Sequence, residues 1–448
     1  MEGKFIIIPI EIFVREFESR LLLTLKLAKY GYKVIIGSTT QIRHYTYDLP
    51  KGIILEKCIS IQKQTRLKRL AKLGNKITVI DEEGLGIDNF TEHYLNERVP
   101  QKTIAMTEKY FTWGKNETKF LRNKHPQFKH KIITTGNIRV DLWKERYGNY
   151  FEEVVARIKK KHGDYILISS SFSLEHIMGD EYLNHIDNIF EDYGIGSKIL
   201  NEANIGYYKE FNAFKNLIIT LPKLIPETQF ILRPHPSENP KHWNNLVQNS
   251  NNVQVIYEDS ISPWIIASKA VIHSSCTSGI EAFLMRKPVI SYIPKTDSSR
   301  LNIIGNKVSY KCKNVNQVKY ILKNWTKNNF SFNYTDFENK EKILSYYFSN
   351  YKGENAYDSI FDEIKNIKIN KSKIDIGIFI KIKNRLKLIK QINAMSKENK
   401  LYMKQKFPGL SQNLLTHAIN RMSKAYDELN GIPFKTKKID RDLFLIYV

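Results

Sequence analysis

Several features that mark common protein classes are scarce or missing in this sequence. Its 448 residues include only three cysteines, Cys58, Cys276 and Cys312, too few and too scattered for a disulfide framework or a zinc site. No apolar stretch approaches the roughly 18–20 residues that a membrane span requires. The apolar run at residues 5–8 is too short for a signal peptide, and charged residues follow it closely. We therefore expect a cytoplasmic protein.

Acidic residues are also scarce, with 46 Asp and Glu against 70 Lys and Arg and a formal net charge of +24. More than half of this excess lies in residues 365–448, where 19 basic residues stand against 6 acidic ones. A basic tail predicts an anionic partner. Because helix-turn-helix, zinc-finger, RRM and KH signatures are missing, we expect no nucleic acid. The favoured partner is an anionic membrane surface, near which each Lys or Arg contributes roughly 1 kcal/mol. The alternative is that the lysines only cover solvent-exposed faces.

Short apolar runs alternate with helical periodicities along most of the chain, for example in the helix expected at residues 15–30 and ended by Gly31. This alternation predicts an α/β fold with two Rossmann-like, doubly wound domains facing a cleft. The expected regions are an N-terminal domain at 1–145, a C-terminal domain at 146–337 and a basic helical extension at 338–448. The main strands are expected at residues 5–9, 33–37, 77–80, 165–168, 229–232, 253–256, 270–272 and 288–292.

Three polar segments directly follow predicted strands, at the sheet edge where open α/β folds bind ligands. The first is Asp81-Glu82-Glu83-Gly84. Crowded carboxylates raise one another's pKa, which suits a group that accepts or donates a proton. The alternative interpretation is a solvated turn or a helix N-terminus, where acidic residues are common.

The second segment is Arg233-Pro234-His235-Pro236, in which prolines restrict the backbone on both sides of a histidine. His235 could donate a proton or hydrogen bond to a leaving phosphate, and Arg233 could neutralise its charge. The alternative is a histidine whose hydrogen bonds are satisfied within a tight turn. A second His-Pro pair, His125-Pro126, follows no predicted strand, so we expect it at the surface.

The third segment, residues 273–279, is rich in hydroxyl groups and precedes a predicted helix. Hydroxyls and backbone N–H groups at such a position favour an anion. The alternative is an ordinary cluster of helix-capping residues, and the Gly-Lys-Ser/Thr ending of a Walker loop is missing. No Asp-x-Asp metal-binding motif stands out in the sequence, so we expect no metal and no other cofactor. The residues expected to bind the anion are Ser274, Ser275, Thr277, Ser278 and Gly279, with Ser170 and Ser171 from a similar run.

Taken in order, these segments resemble the three motifs of bacterial sialyltransferases and polysialyltransferases, which have the GT-B fold and use CMP-activated sugars. The chain is also similar to the β-Kdo transferases of capsule and O-antigen synthesis, and most of all to the bacterial surface carbohydrate biosynthesis proteins. The stretches that carry this last similarity are residues 9–11, 15–22, 81–84, 111–114, 135–141, 273–292 and 406–409.

The resemblance implies a role for single residues. Glu82 matches the general base, and His235 and the Ser274-Ser275 pair match the groups on the CMP phosphate. Three acids stand here instead of the two in the sialyltransferase motif, so Asp81 or Glu83 could be the catalytic residue in place of Glu82. If the reaction retains the configuration of the sugar, the acid would act as a nucleophile or would stabilise a cation, and would not act as a base. A further group, Arg15, Glu16 and Arg20, follows the first strand and is expected to bind an anionic acceptor, although it could also cap a helix.

The resulting hypothesis is a glycosyltransferase of capsule or lipopolysaccharide synthesis that transfers an ulosonic acid, such as Kdo or a sialic acid, from a CMP-linked donor. The donor would occupy the C-terminal domain and a glycan or lipid-linked glycan acceptor the N-terminal domain. One alternative is a polyol-phosphate transferase of the CDP-glycerol type. Nucleotide-sugar 2-epimerases share the frame but lack the hydroxyl run. An alternative of another class is a non-catalytic, membrane-associated assembly protein.

Overall fold

The computed structural model describes residues 1–82, 96–144, 149–172, 197–294, 304–327 and 334–448, and the chain forms two compact units. Within the described residues, the first unit comprises 1–82, 96–144, 149–150 and 342–448. The second comprises 151–172, 197–294, 304–327 and 334–341. Each unit is built on a sheet of mainly parallel strands with helices between them. The predicted α/β class with two Rossmann-like domains is therefore confirmed.

The first unit contains an eight-stranded sheet in the order β15-β16-β3-β2-β4-β5-β6-β7, in which β2 to β7 run parallel. A separate antiparallel pair joins β1 (Glu2–Gly3) to β14 (Ser372–Lys373). The strands of the large sheet are β2 (Phe5–Ile10), β3 (Lys33–Ser38), β4 (Gly52–Glu56), β5 (Lys76–Ile80), β6 (Lys109–Thr112), β7 (Ile132–Thr134), β15 (Lys435–Asp440) and β16 (Leu443–Tyr447).

Helix α1 shows why the sequence pattern was informative in this unit. Its leucines recur at helical spacing and are fully buried, and Gly31 follows with a φ of 85° that favours glycine. The helices of the unit are α1 (Phe13–Lys29), α2 (Thr39–His44), α3 (Gln64–Lys72), α4 (Gln101–Ile104), α5 (Lys115–Lys124), α6 (Ile138–Trp143), α15 (Ala356–Lys365), α16 (Ile378–Asn393), α17 (Lys397–Lys406) and α18 (Gln412–Ala425).

Residues 338–448 were predicted to form a helical extension, but the structure of this region also contains strands. Besides four helices it supplies β15 and β16, and β16 pairs antiparallel with β3, with Leu445 opposite Ile35. All but the last residue of β16 are buried, because this apolar run extends the core of the sheet. Residues 342–448 therefore belong to the first unit and complete its sheet.

The second unit contains a six-stranded, wholly parallel sheet in the order β10-β9-β8-β11-β12-β13. All residues of β8, β9, β11 and β12 are buried, as expected when helices cover both faces of a parallel sheet. Its strands are β8 (Ile166–Ser169), β9 (Phe230–Arg233), β10 (Val253–Val255), β11 (Ala270–His273), β12 (Val289–Tyr292) and β13 (Tyr310–Cys312). Its helices are α7 (Glu152–His162), α8 (Ser197–Leu224), α9 (Pro240–Val247), α10 (Ile261–Ala267), α11 (Ser278–Leu284), α12 (Ile304–Lys307) and α13 (Val315–Lys327); α14 (Tyr334–Tyr347) continues the chain into the first unit.

The strand register of the second sheet aligns the segments predicted to be functional. Ser169, the last residue of β8, pairs with Arg233 of β9 on one side and with His273 of β11 on the other. His273 in turn pairs with Ser291 of β12. Because these strands are parallel, the residues that follow them lie side by side at the carboxyl edge, where open α/β sheets bind ligands.

Candidate functional site

The loop that carries His235 fixes the tautomer of its imidazole. Nδ1 lies 2.6 Å from the Ser237 hydroxyl and accepts a hydrogen bond of 3.3 Å from the Ser237 backbone N–H. Because a backbone N–H can only donate, Nδ1 is an acceptor, and the neutral ring carries its hydrogen on Nε2. His235 is half-buried. A half-buried imidazole with an Nε2–H is suited to donate a hydrogen bond to an anionic oxygen.

Glu238 connects the His235 loop to the serine-rich segment after β8. Its fully buried carboxylate accepts hydrogen bonds from the backbone N–H groups of Phe172 at 2.6 Å and His235 at 3.2 Å. It also accepts from the Ser170 hydroxyl and, at 2.7 Å, from the Trp243 indole. Burial raises the pKa of Glu238, and the hydrogen bonds from Ser170 and Phe172 oppose that rise. Sequence analysis missed Glu238 because its role depends on partners from another strand.

The hydroxyl-rich segment after β11 is held by a second buried network. Ser274 and Ser275 are almost fully buried, and Ser275 has a positive φ of 49°. The Asn306 amide donates to the Ser275 hydroxyl at 2.9 Å and accepts from the Ser291 hydroxyl at 2.6 Å. The Ser278 hydroxyl is buried without a hydrogen-bond partner among the described residues. The backbone of this segment is therefore fixed at the sheet edge while one hydroxyl keeps unused hydrogen-bonding capacity.

His273 and Gly279 pack directly against each other beneath this segment. His273 is fully buried, with Nδ1 accepting from the Cys276 N–H at 3.1 Å and Nε2 lying 2.8 Å from the Ser309 hydroxyl. A Cβ added to Gly279 would lie 2.3 Å from Nε2 of His273. The glycine is therefore explained by this close approach inside the protein, and α11, which begins at Ser278, is only seven residues long.

Arg233 is directed toward a different part of the second unit. Its guanidinium donates to the backbone oxygen of Asp259 at 3.0 Å and lies 5.1 Å from the Trp264 ring centre and 5.8 Å from that of Tyr257. Burial lowers the pKa of Arg233 to about 10. These contacts hold its side chain against residues 257–264. Of the other predicted residues, Ser171 and Thr277 are half-buried at the edge of the sheet.

In the first unit, Asp81 and Glu82 follow β5 and have different partners. Asp81 is fully buried and forms two hydrogen bonds with the Arg98 guanidinium, at 2.8 and 2.5 Å. Glu82 accepts a single hydrogen bond, at 2.8 Å, from Arg20, and its second carboxylate oxygen has no partner among the described residues. Burial raises the pKa of Glu82, and the charge of Arg20 opposes the rise. Glu83 lies outside the described residues.

The predicted acceptor group divides in the structure. Arg20 is buried beside Glu82, and its Nε and Nη1 atoms have no hydrogen-bond partner among the residues described. Glu16 is also buried, but it accepts a hydrogen bond of 2.8 Å from the Glu11 N–H, a contact of the helix-capping type. Arg15 is half-buried, and its guanidinium lies 3.3 Å from Glu16. Arg20 therefore belongs with Glu82, whereas Arg15 and Glu16 lie together at the start of α1.

The prediction that His125 lies at the surface is wrong. Its ring is almost fully buried, and Nε2 lies 2.8 Å from the carbonyl oxygen of Val99. Burial lowers the pKa of His125, which favours the neutral form of the ring. His125 caps the end of α5 inside the first unit, a tertiary environment that the polar stretch around it did not indicate.

The described part of the chain contains no group of three or more His, Cys, Asp or Glu side chains placed to hold a metal ion.

None of its helices is both long and apolar enough to cross a membrane.

Comparison with known proteins extends the fold assignment. No family model matches the sequence, and no curated protein matches it. Among solved structures, the wall teichoic acid polymerase TagF with CDPG superimposes with a TM-score of 0.50 at 11% identity, covering 81% of this chain and 88% of that chain. A Listeria monocytogenes protein assigned as a UDP-N-acetylglucosamine 2-epimerase gives 0.50 at 15%, covering 81% and 96%. At this identity the likeness establishes the fold alone, and the predicted GT-B-like fold is confirmed.

Proposed function

We propose that this protein is a nucleotide-sugar-dependent glycosyltransferase of bacterial surface polysaccharide synthesis, with a CMP-linked ulosonic acid such as Kdo or a sialic acid as donor. The single observation that carries the proposal is the alignment of three polar segments at the carboxyl ends of β8, β9 and β11. The GT-B-like fold supports this proposal. The names of the two proteins of similar fold described above mention CDPG and UDP-N-acetylglucosamine, which are both nucleotide-activated compounds.

The donor phosphate is assigned to the second unit, next to His235, Ser274 and Ser275. His235 would donate its Nε2–H to the phosphate, and the tautomer set by Ser237 supports that direction. Glu238 supports the geometry because it fixes the backbone N–H of His235 before any ligand arrives. Donors held in advance stabilise charge as it develops on a leaving phosphate, which is the main catalytic effect expected here.

Proton transfer from the acceptor is assigned to Glu82. Its raised pKa and its second oxygen, which lacks a partner among the described residues, suit a carboxylate that takes up a proton. Asp81 is a weaker candidate, since Arg98 already occupies both of its oxygens. Arg20 would hold Glu82 in place and, with Arg15, favour an anionic acceptor.

The donor class is tested with a panel of CMP-, UDP- and GDP-sugars, incubated with the protein in the presence of a chelator. We expect slow hydrolysis of a CMP-sugar and none of the UDP- and GDP-sugars, because the proposal requires no metal. Hydrolysis of a UDP-sugar alone would contradict the proposed donor.

A polyol-phosphate transferase is the second candidate, because such enzymes share the His-Pro and Ser-Ser features and because the name of one protein of similar fold mentions CDPG. It too would release CMP, but from CDP-glycerol, and the transferred group would retain a phosphate. Supplying CDP-glycerol and CMP-sugars in parallel and analysing the product for phosphorus separates the two reactions. The non-catalytic alternative predicts that neither nucleotide binds.

The acceptor is proposed to be a glycan or lipid-linked glycan, processed at the inner face of the cytoplasmic membrane. The excess of basic residues after residue 365 supports an anionic surface as the partner. The chain would then be a peripheral protein on that surface.

A further inference from the structure

Helix α16 exposes an unusual number of large apolar side chains. Residues 378, 382, 386 and 389 recur at helical spacing and therefore form one stripe along the helix. Single exposed apolar residues are common on proteins, but a continuous patch of this kind marks an interaction surface. The exposed side chains are Ile378 at 68%, Phe379 at 84%, Ile382 at 49%, Leu386 at 61%, Ile389 at 53% and Ile392 at 38%.

The opposite face of α16 is attached to the first unit, so the stripe has a fixed position. Asn384 donates to the Asp48 carboxylate at 3.1 Å, and Gln391 lies 2.9 Å from the ring of His44. Ile380 packs against the core of the unit. The apolar stripe is therefore presented by a helix whose other face already has partners.

The charge around the stripe has one sign. Between residues 378 and 393 the helix carries four lysines and Arg385 but no acidic residue. Arg385 forms hydrogen bonds of 2.9 and 2.5 Å with Asp440 of β15. The same strand adds three exposed lysines, Lys435, Lys437 and Lys438. A basic helix with an exposed apolar stripe is complementary to an anionic lipid surface, where the apolar side chains enter the acyl boundary and the lysines meet the headgroups.

We propose that α16 is the membrane-docking element of the protein and lies in the plane of an anionic bilayer with Phe379 and Leu386 inserted. This inference rests on the membrane partner in the proposed function, and it is independent of the donor and of the chemistry. The five charges exclude a spanning arrangement for this helix. Its ligand is the anionic lipid surface and not a protein groove, because the charges surround the stripe on exposed positions.

The test uses substitutions in the full chain, because deleting the C-terminal region would remove β16 from the sheet of the first unit. One variant combines Phe379→Ser with Leu386→Ser, and another combines Lys383→Glu with Lys387→Glu. Matched controls are Tyr320→Ser, an aromatic residue 69% exposed in the second unit, and a second lysine pair four residues apart on an exposed face of α3, Lys68→Glu with Lys72→Glu. Flotation with phosphatidylcholine vesicles, with and without phosphatidylglycerol, measures binding.

We expect the wild type and both controls to bind and float with vesicles that contain phosphatidylglycerol. With vesicles of phosphatidylcholine alone, we expect all three to remain unbound. Each α16 variant should bind more weakly by at least about tenfold, the apolar one through lost insertion and the charged one through lost attraction. Unchanged melting temperatures would confirm that all variants fold, since the replaced side chains are exposed.

Three results would overturn the inference. The apolar variant could bind vesicles like the wild type, which would leave attraction between charges as the only contribution. The lysine pair on α3 could matter as much as the pair on α16, which would mean that net charge alone controls binding. The wild type could instead form a dimer that the apolar variant abolishes, which would make the stripe a contact between copies. Nucleotide binding is measured separately, without vesicles. This measurement tests the proposed transferase function, whereas the vesicle assay tests only the membrane-docking role of α16.

Discussion

Glu238→Gln tests whether one buried carboxylate organises the candidate phosphate site. Of the donors to Glu238 described above, three converge on Oε2 and one, the Phe172 N–H, donates to Oε1 at 2.6 Å. Glutamine has one acceptor oxygen and one NH2 group. With its oxygen in the place of Oε2, three hydrogen bonds persist and the NH2 group meets the Phe172 N–H.

The expected loss of stability follows from the Phe172 N–H, which has no acceptor in the variant. An unpaired buried N–H costs about 1–3 kcal/mol, so the variant should be destabilised by about that amount. Displacement of the segment that carries Phe172 should also weaken CMP binding by roughly tenfold, which corresponds to about 1.4 kcal/mol. Glu227→Gln is the control, because Glu227 is exposed in the same unit.

The pH dependence of this effect has a defined sign. Burial raises the pKa of Glu238 in the folded state, so the folded protein binds the proton more tightly than the unfolded chain. The contribution of Glu238 is then fully present at pH values below its unfolded pKa and is lost as the pH rises through its folded pKa. The advantage of the wild type over Glu238→Gln should therefore shrink as the pH is raised.

Thermal unfolding and calorimetric titration with CMP are the assays. Equal melting temperatures and equal CMP affinities for Glu238→Gln and Glu227→Gln would refute the organising role. Loss of stability with unchanged CMP affinity would place Glu238 in the core of the unit and outside the binding site.

Three further predictions concern single residues. Glu82→Gln should abolish sugar transfer in a product assay while leaving CMP affinity nearly unchanged, and a variant that loses only CMP binding would contradict its role as a base. Gly279→Ala should lower the melting temperature by the equivalent of about 1–3 kcal/mol, because its Cβ would overlap His273, whereas Gly377→Ala meets no atom within 4 Å and serves as the control. Burial raises the pKa of Glu117 to about 8 from 4.5, so stability should fall as the pH rises through that window, and Glu117→Gln should remove most of this slope in unfolding measurements. An identical slope in that variant would mean that Glu117 does not titrate in the folded protein.

Five of the six strands of the second sheet could be predicted because each is a short apolar run, whereas β13, Tyr310–Cys312, was not predicted. The same logic placed His235 and Ser274 at the carboxyl edge, since parallel strands bring their ends together. It did not find β15 and β16, because an antiparallel pair added from the far end of the chain has no local signal for its partner. The burial of Leu445 can be predicted from its apolar run, but its pairing with Ile35 depends on the tertiary structure.

The roles of individual polar residues were less predictable than the positions of the strands. Asp81 and Glu82 are equivalent in the sequence, and they differ only because Arg98 and Arg20 reach them from separate elements. Glu238 follows the His235 turn without any pattern, since its four donors come from residues as distant as Ser170. Hydrogen-bond networks of this kind depend on the packed fold and on side-chain direction, which periodicity does not encode.

The central claim is that His235 and the neighbouring serine segments hold the phosphate of a cytidine nucleotide. Calorimetric titration of CMP into the wild type and into His235→Ala, with a chelator present, tests it most directly. The account predicts that the wild type binds CMP and that the variant binds roughly ten- to a hundredfold more weakly, the range expected for a hydrogen bond to a charged group. No measurable binding by the wild type, or equal affinity in the variant, would contradict it.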